Sequence, residues 1–152
     1  PVAVLRELKR VLKPGGSLTV IEGDHGSCYF HPETDLARRA WRCLIDSQAG
    51  LGGDSLIGRR LYPVVVAAGL AEVQVSPRMV YADASRPRQV EGFVRRTIVP
   101  MVQGVREQAL AAGYLSPQEW ERGVADLLAT AEPEGAFCYT FFKAVGRRAH
   151  LA

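Results

Sequence analysis

Membrane-spanning and secretory features are missing from this sequence. Its 152 residues contain no apolar run long enough to cross a bilayer, and no charged-then-apolar signal segment opens the chain. Cysteine is scarce and odd in number, and Cys28, Cys43 and Cys138 follow neither a disulfide nor a zinc spacing. We therefore expect reduced thiols and a cytoplasmic protein. The chain begins at Pro1 without a methionine, which we take as the sign of a truncated or processed product.

Charge of one sign is not concentrated anywhere in the sequence. The formal net charge is only +3, acidic residues are interspersed with basic ones, and aromatic residues make up 8% of the chain. Four arginine pairs are scattered along the chain rather than gathered with interleaved aromatics, at Arg38-Arg39, Arg59-Arg60, Arg95-Arg96 and Arg147-Arg148. This distribution argues against nucleic acid as a partner. A hydrophobic content of 47% over this length predicts a single domain, residues 1–152, with a sizeable core.

The segment from Val11 to Ser27 is typical of a helix end, a turn and a buried strand. Lys13 suits a helix C-terminus, Pro14 cannot continue the helix, and Gly15-Gly16 supply the positive φ of a tight reversal. The apolar run Leu18–Ile21 then predicts a short strand buried on both faces, as in a parallel sheet covered by helices. Glu22, Asp24 and His25 follow, and we expect them at the carboxyl end of that strand, where open α/β sheets hold their ligands.

Two stretches resemble S-adenosylmethionine-dependent class I methyltransferases. The first stretch, residues 5–22, resembles their fourth helix and fifth strand and reads Leu-Arg-Glu-Leu-Lys-Arg-Val-Leu-Lys-Pro-Gly-Gly-Ser-Leu-Thr-Val-Ile-Glu. The second stretch, residues 57–75, resembles the next helix and strand and reads Ile-Gly-Arg-Arg-Leu-Tyr-Pro-Val-Val-Val-Ala-Ala-Gly-Leu-Ala-Glu-Val-Gln-Val. The resemblance covers the C-terminal half of the family's domain, and the glycine loop and acidic residue that hold the cofactor have no counterpart. It implies a partial Rossmann-like α/β sheet of three strands, the last antiparallel and central.

The remaining pattern predicts the covering helices and a helical insertion. An apolar stripe from Leu36 to Ile45 forms a helix that, by the resemblance, lies over the acceptor pocket. A helix from about Arg59 to Ala68 must carry Pro63 in its first turn or be bent by it, and the strand around Val73 is placed at a sheet edge by Pro77. A long helical region over residues 90–109 breaks before Pro100. Ser116-Pro-Gln-Glu is a capping box that starts a further helix, and residues 136–145 form the central strand.

Candidate site residues cluster near the first strand. His25 is the candidate general base for an acceptor hydroxyl, with backbone bonding in a loop as the alternative. Asp24, His25, Tyr29 and Trp41 are predicted to contact the acceptor, although core packing explains Trp41 equally well. Asp24, His25, Cys28 and His31 also have a chelating spacing, but no second ligand cluster exists and we predict no metal. We expect a solvated or helix-dipole role for Arg59-Arg60.

The function implied by the resemblance is methyl transfer to a small-molecule acceptor. S-adenosylmethionine is the implied methyl donor of the intact enzyme; this chain supplies mainly the acceptor side, and its cofactor-binding residues stay unknown. The alternative is a non-catalytic, degenerate methyltransferase-fold module that binds a partner or dimerises. A nicotinamide-dependent oxidoreductase is disfavoured because Gly-x-Gly-x-x-Gly is absent. We also expect the isolated chain to form homo-oligomers through the uncovered edge of the strand at residues 17–22.

Overall fold

The computed structural model describes residues 1–150 of the chain. Twelve elements follow one another, and we give their bounds in chain order. They are α1 (Val2–Val11), β1 (Ser17–His31), α2 (Asp35–Gly50), a 3-10 turn (Ile57–Arg60), α3 (Leu61–Ala67), β2 (Ala71–Asp83), α4 (Pro87–Gln89), a π-helix (Val90–Ile98), α5 (Val99–Gln103), α6 (Arg106–Ala111), α7 (Pro117–Ala129) and β3 (Ala136–Arg147).

The strands form one antiparallel sheet in the order β1-β3-β2. Backbone bonds from Gly15 N to Arg148 O (2.9 Å) and from Arg148 N to Gly16 O (2.8 Å) join the start of β1 to the end of β3. This pairing makes the two strands antiparallel. The predicted α/β class and the central position of the last strand are therefore confirmed, and β2, which carries Pro77, is an edge strand as predicted.

The chain divides into two compact units. Unit 1 comprises Pro1–Gly26, Leu56–Met79 and the C-terminal segment from Thr140, and unit 2 comprises Ser27–Ser55 and Val80–Tyr139. In unit 1, α1 and α3 pack on one face of the sheet. Its buried core consists of Leu5, Leu61, Val65, Ala68, Leu70 and Ala144, with Leu18, Val20 and Phe142 among the partly buried residues against it.

Unit 2 is built around the close packing of α2 and α7. Thr34 caps α2 by accepting a hydrogen bond from Ala37 N, and Ser116 and Glu119 form the predicted capping box at the start of α7. Gly123 lets α7 approach, since a Cβ there would lie 2.5 Å from Leu36 O. The predicted apolar stripe is confirmed, because the buried residues of α2 are Ala37, Ala40, Trp41, Cys43, Leu44 and Ile45.

The first strand departs from the sequence-based expectation in length and in burial. The sequence predicts a short strand over residues 17–22, whereas β1 continues to His31. The neighbouring strand β3 supplies backbone partners over a length that the local sequence does not reveal. Burial on both faces is also wrong for the start of β1, where Leu18 and Val20 face the helices while Thr19 and Ile21 are exposed.

None of the helices within residues 1–150 combines the length and apolar character that a membrane crossing requires. We expected the helical region after β2 to break before Pro100, but the π-helix continues directly into α5 at Val99. Ile98 and Val99 both have αR dihedral angles, so the backbone stays helical there and the region ends at Gln103 instead.

Candidate functional site

The sequence-predicted residues Asp24 and His25 lie inside β1 and not at its end. Glu22, which precedes them, is exposed, Asp24 is fully buried, and His25 is partly buried. Because successive strand residues point to opposite faces, Asp24 and His25 are directed to different sides of the sheet. Their expected place at a strand terminus is corrected by the extension of β1 to His31.

An ion pair between Asp24 and Arg59 dominates this part of unit 1. Arg59 Nε donates to Asp24 Oδ2 at 2.7 Å, and a terminal guanidinium nitrogen donates to Oδ1 at 2.8 Å. The backbone N–H of Gly26 also donates to Oδ1, at 2.9 Å. Both carboxylate oxygens are thus engaged in charge-assisted bonds, which is the arrangement that makes a buried carboxylate tolerable. The side chain of Asp24 has no exposed surface, whereas that of Arg59 is 49% exposed.

Glycines allow the 3-10 turn that carries Arg59 to reach the strand. A Cβ on Gly58 would lie 2.8 Å from Gly23 O and 3.1 Å from the Cβ of Asp24. A Cβ on Gly26 would collide with the Arg59 guanidinium. A side chain at Gly58 would push the turn away from the strand, and one at Gly26 would displace the Arg59 guanidinium, so both glycines favour the ion pair.

His25 has the environment of a neutral imidazole. Burial lowers its pKa, an effect that the negative charge of Asp24 opposes without cancelling. A histidine with a lowered pKa is neutral near pH 7 and able to accept a proton. Its Nε2 atom is buried. Proton acceptance by His25 stays a prediction, for which this protonation state is suitable.

Tyr29 and Trp41, the other two predicted acceptor contacts, belong to unit 2. The Tyr29 side chain is 67% exposed, while Trp41 is 5% exposed. The Trp41 ring makes edge contacts with Phe137 and Tyr139, at centroid distances of 5.9 and 6.3 Å. Phe93 contacts the same two rings. Trp41 therefore has the core-packing role that the sequence left open, and its contact with an acceptor stays a prediction, as does that of Tyr29.

No metal-binding cluster forms from the four residues whose spacing in the sequence suits a chelate, Asp24, His25, Cys28 and His31. Over residues 1–150 no group of three or more histidine, cysteine, aspartate or glutamate side chains is placed to hold a metal ion. Burial raises the pKa of the Cys43 and Cys138 thiols, which disfavours the thiolate that binds metals or attacks substrates.

The described residues do not form a cradle for S-adenosylmethionine. In the resembling family the cofactor rests on a glycine loop that follows a strand. Here the positive-φ glycines, Gly15, Gly52, Gly69 and Gly113, each follow a helix, and none of these four follows a strand. Gly52, Gly69 and Gly113 have φ values between 70° and 82° just after a helix ends, and Gly15 has its positive φ in the turn closed by the bond from Gly16 N to Lys13 O. None of these four glycines therefore belongs to a loop of the kind that holds the cofactor in the resembling family.

Arg59 is the site residue that sequence reasoning missed. We expected a solvated or helix-dipole role for it, which is wrong, because its guanidinium holds the buried carboxylate of Asp24. The two residues are 35 positions apart, so no local pattern links them. The available signal was Gly58 beside Arg59, which marks a close backbone approach, since a Cβ there would lie 2.8 Å from Gly23 O.

Comparison with known proteins gives one informative similarity. No family model matches the chain. It is 34% identical over 125 residues to an uncharacterized 37.1 kDa protein in transposon TN4556 of Streptomyces fradiae. The match covers 79% of this chain and 33% of that protein, so the chain spans about a third of the length of the curated relative it matches.

Proposed function

We propose that this chain supplies the acceptor side of an S-adenosylmethionine-dependent methyltransferase that acts on a small molecule. The observation that carries the proposal is the sheet order β1-β3-β2, with the last strand central and antiparallel. The resemblance of residues 5–22 and 57–75 implies this same order. A late strand inserted between two earlier ones is an uncommon connection, since strands that follow one another along the chain are usually neighbours.

His25 is the residue to which we assign proton acceptance from the acceptor. Its lowered pKa keeps the imidazole neutral near pH 7, as a general base requires. The pair of Asp24 and Arg59 acts as a positioning element, because it pins the strand segment on which His25 lies to the turn that begins at Ile57. The cofactor would be held by residues outside this chain.

The alternative is a non-catalytic module with the same fold that binds a partner or dimerises. The lack of a glycine cradle in residues 1–150 favours it. The two functions differ in whether the full-length gene product binds S-adenosylmethionine, and calorimetric titration of that protein is the first experiment. Binding supports methyl transfer, whereas its absence favours the non-catalytic module.

His25→Gln tests the assigned role within the full-length protein. We expect it to lower kcat by about 100-fold or more while the cofactor Kd stays unchanged, because general bases contribute about 10² to 10⁴ in rate. His31→Gln is the matched control, since His31 is an exposed histidine on the same strand. Equal activity of the two variants would remove His25 from the mechanism.

A further inference from the structure

A basic cavity lies in unit 1, away from Asp24 and His25. It is an open depression of about 470 Å³ between the C-terminal ends of α1 and α3, lined by Arg6, Lys9, Arg10, Arg148 and the backbone of residues 67–69. On α1 the three cations stand at spacings of three and four residues, which puts them on one face of the helix. Arg148 joins them from the segment that follows β3.

The basic cavity brings together four of the 19 lysine and arginine side chains of the chain. Its lining contains no acidic side chain, and within residues 1–150 the carboxylate paired with a lining cation is that of Glu7, at 2.8 Å from Arg10. With Glu7 included, these side chains carry a net charge of +3. The two helix C-termini that face it contribute about half a negative charge each, which leaves a clear positive excess.

Two of the arginines are held in place by backbone carbonyls. Arg6 donates to Ala67 O at 3.1 Å, and Arg148 donates to Arg10 O and Leu12 O at 2.7 and 2.6 Å. A guanidinium has five N–H groups, so these bonds fix each side chain while leaving further donors for a ligand. Such fixed positions reduce the entropy lost on binding.

The absence of a side chain at Gly69 makes room for the Lys9 ammonium group. A Cβ on Gly69 would lie 2.7 Å from Lys9 Nζ, and Gly69 has a φ of +82°. The ammonium group therefore rests at the end of α3, beside the anchored Arg6 guanidinium. Ammonium and guanidinium groups around one depression are complementary to closely spaced anionic oxygens, and guanidinium matches phosphate in particular.

We propose that the basic cavity binds the pyrophosphate group of a small phosphorylated ligand. Its volume lies within the range of about 300–1,000 Å³ that is usual for small-molecule sites. The ten residues of α1 span only about 15 Å, which is short for the 6–10 phosphate contacts of a typical duplex-binding surface. This site is independent of the proposed methyl transfer.

Calorimetric titration of the chain with inorganic pyrophosphate tests the proposal. We expect pyrophosphate to bind more tightly than sulfate, and more weakly as ionic strength rises from about 0.01 to about 0.1 M, because the Debye length then falls from about 30 to about 10 Å. The double variant Lys9→Gln/Arg10→Gln should raise the Kd at least about tenfold, whereas Lys9→Arg should retain binding.

The matched control is the double variant Arg78→Gln/Arg88→Gln. It removes the same charge from two exposed arginines outside the cavity and should leave the Kd within about twofold of the parent. Equal weakening in both double variants, or no preference for pyrophosphate over sulfate, would overturn the proposal. Tighter binding of a DNA duplex that Lys9→Gln/Arg10→Gln abolishes would overturn it in favour of a nucleic-acid surface.

Discussion

Replacement of Arg59 by alanine should cost more stability than any exposed ion pair can explain. The change removes two charge-assisted bonds, of 2.7 and 2.8 Å, and leaves the buried carboxylate of Asp24 with the Gly26 N–H. Breaking a fully buried pair costs about 3–5 kcal/mol. Because Arg59 is 49% exposed, water screens the pair and can partly replace it, so we expect a loss of about 2 kcal/mol.

A double-mutant cycle separates the ion pair from the rest of each side chain. Asp24→Asn keeps the shape and removes the charge, and the double variant Asp24→Asn/Arg59→Ala should be more stable than the sum of the single losses predicts, by about 1 kcal/mol or more. Urea unfolding followed by far-UV circular dichroism is the assay. Trp41 and Trp120 are the only tryptophans and both belong to unit 2, so their fluorescence does not report directly on this pair.

Arg96→Ala is the matched control for an exposed pair. Arg96 contacts Glu91 at 2.7 Å, and their side chains are 75% and 50% exposed. Such pairs contribute about 0–1 kcal/mol. If Arg59→Ala were no more destabilising than Arg96→Ala, or if the coupling were below about 0.5 kcal/mol, the pair would not be the anchor of this segment.

Further predictions concern titration, packing, cofactor binding and association. Burial lowers the pKa of His25 in the folded chain, so the unfolded chain takes up the imidazole proton at a higher pH than the folded chain does. The contribution of neutral His25 to folding stability is therefore present above about pH 6.5 and is lost as pH falls through the folded pKa. His25→Gln should flatten the Tm–pH profile below about pH 6.5. An unchanged slope would show that another group causes the pH dependence. Gly123→Ala should destabilise the chain by about 1–3 kcal/mol in urea unfolding. Gly92→Ala is the control and should not destabilise it, because a Cβ at Gly92 meets nothing within 4 Å. Similar results for the two variants would contradict the close approach of α7 to α2. The isolated chain should bind S-adenosylmethionine weakly or not at all in calorimetry, and a low-micromolar Kd, about −8 kcal/mol, would refute this. Light scattering over a dilution series should show that the chain self-associates through the β1 edge at residues 17–22, and Thr19→Lys should reverse this association. A monodisperse monomer at micromolar concentration would argue against self-association.

The sequence alone determined the features whose causes are local. The capping box at Ser116 and the place of Pro63 in the first turn of α3 depend on neighbouring residues, and both are confirmed. The sheet order is not local, and it was available through the resemblance of residues 5–22 and 57–75 to a known family. Apolar periodicity also located the buried stripe of α2, since the 3.6-residue repeat depends on the helix itself.

Tertiary structure decided what depends on distant parts of the chain. The extension of β1 to His31 requires β3 as a hydrogen-bonding neighbour. Ile21 is exposed because Leu18 and Val20, on the opposite face of the strand, are the residues that pack against the core of unit 1. Trp41 could be assigned to a core only when the rings of Phe137 and Tyr139 were in place. The pairing of Asp24 with Arg59 was hidden for the same reason, because the stability of a buried charge depends on a partner that folding brings from 35 residues away.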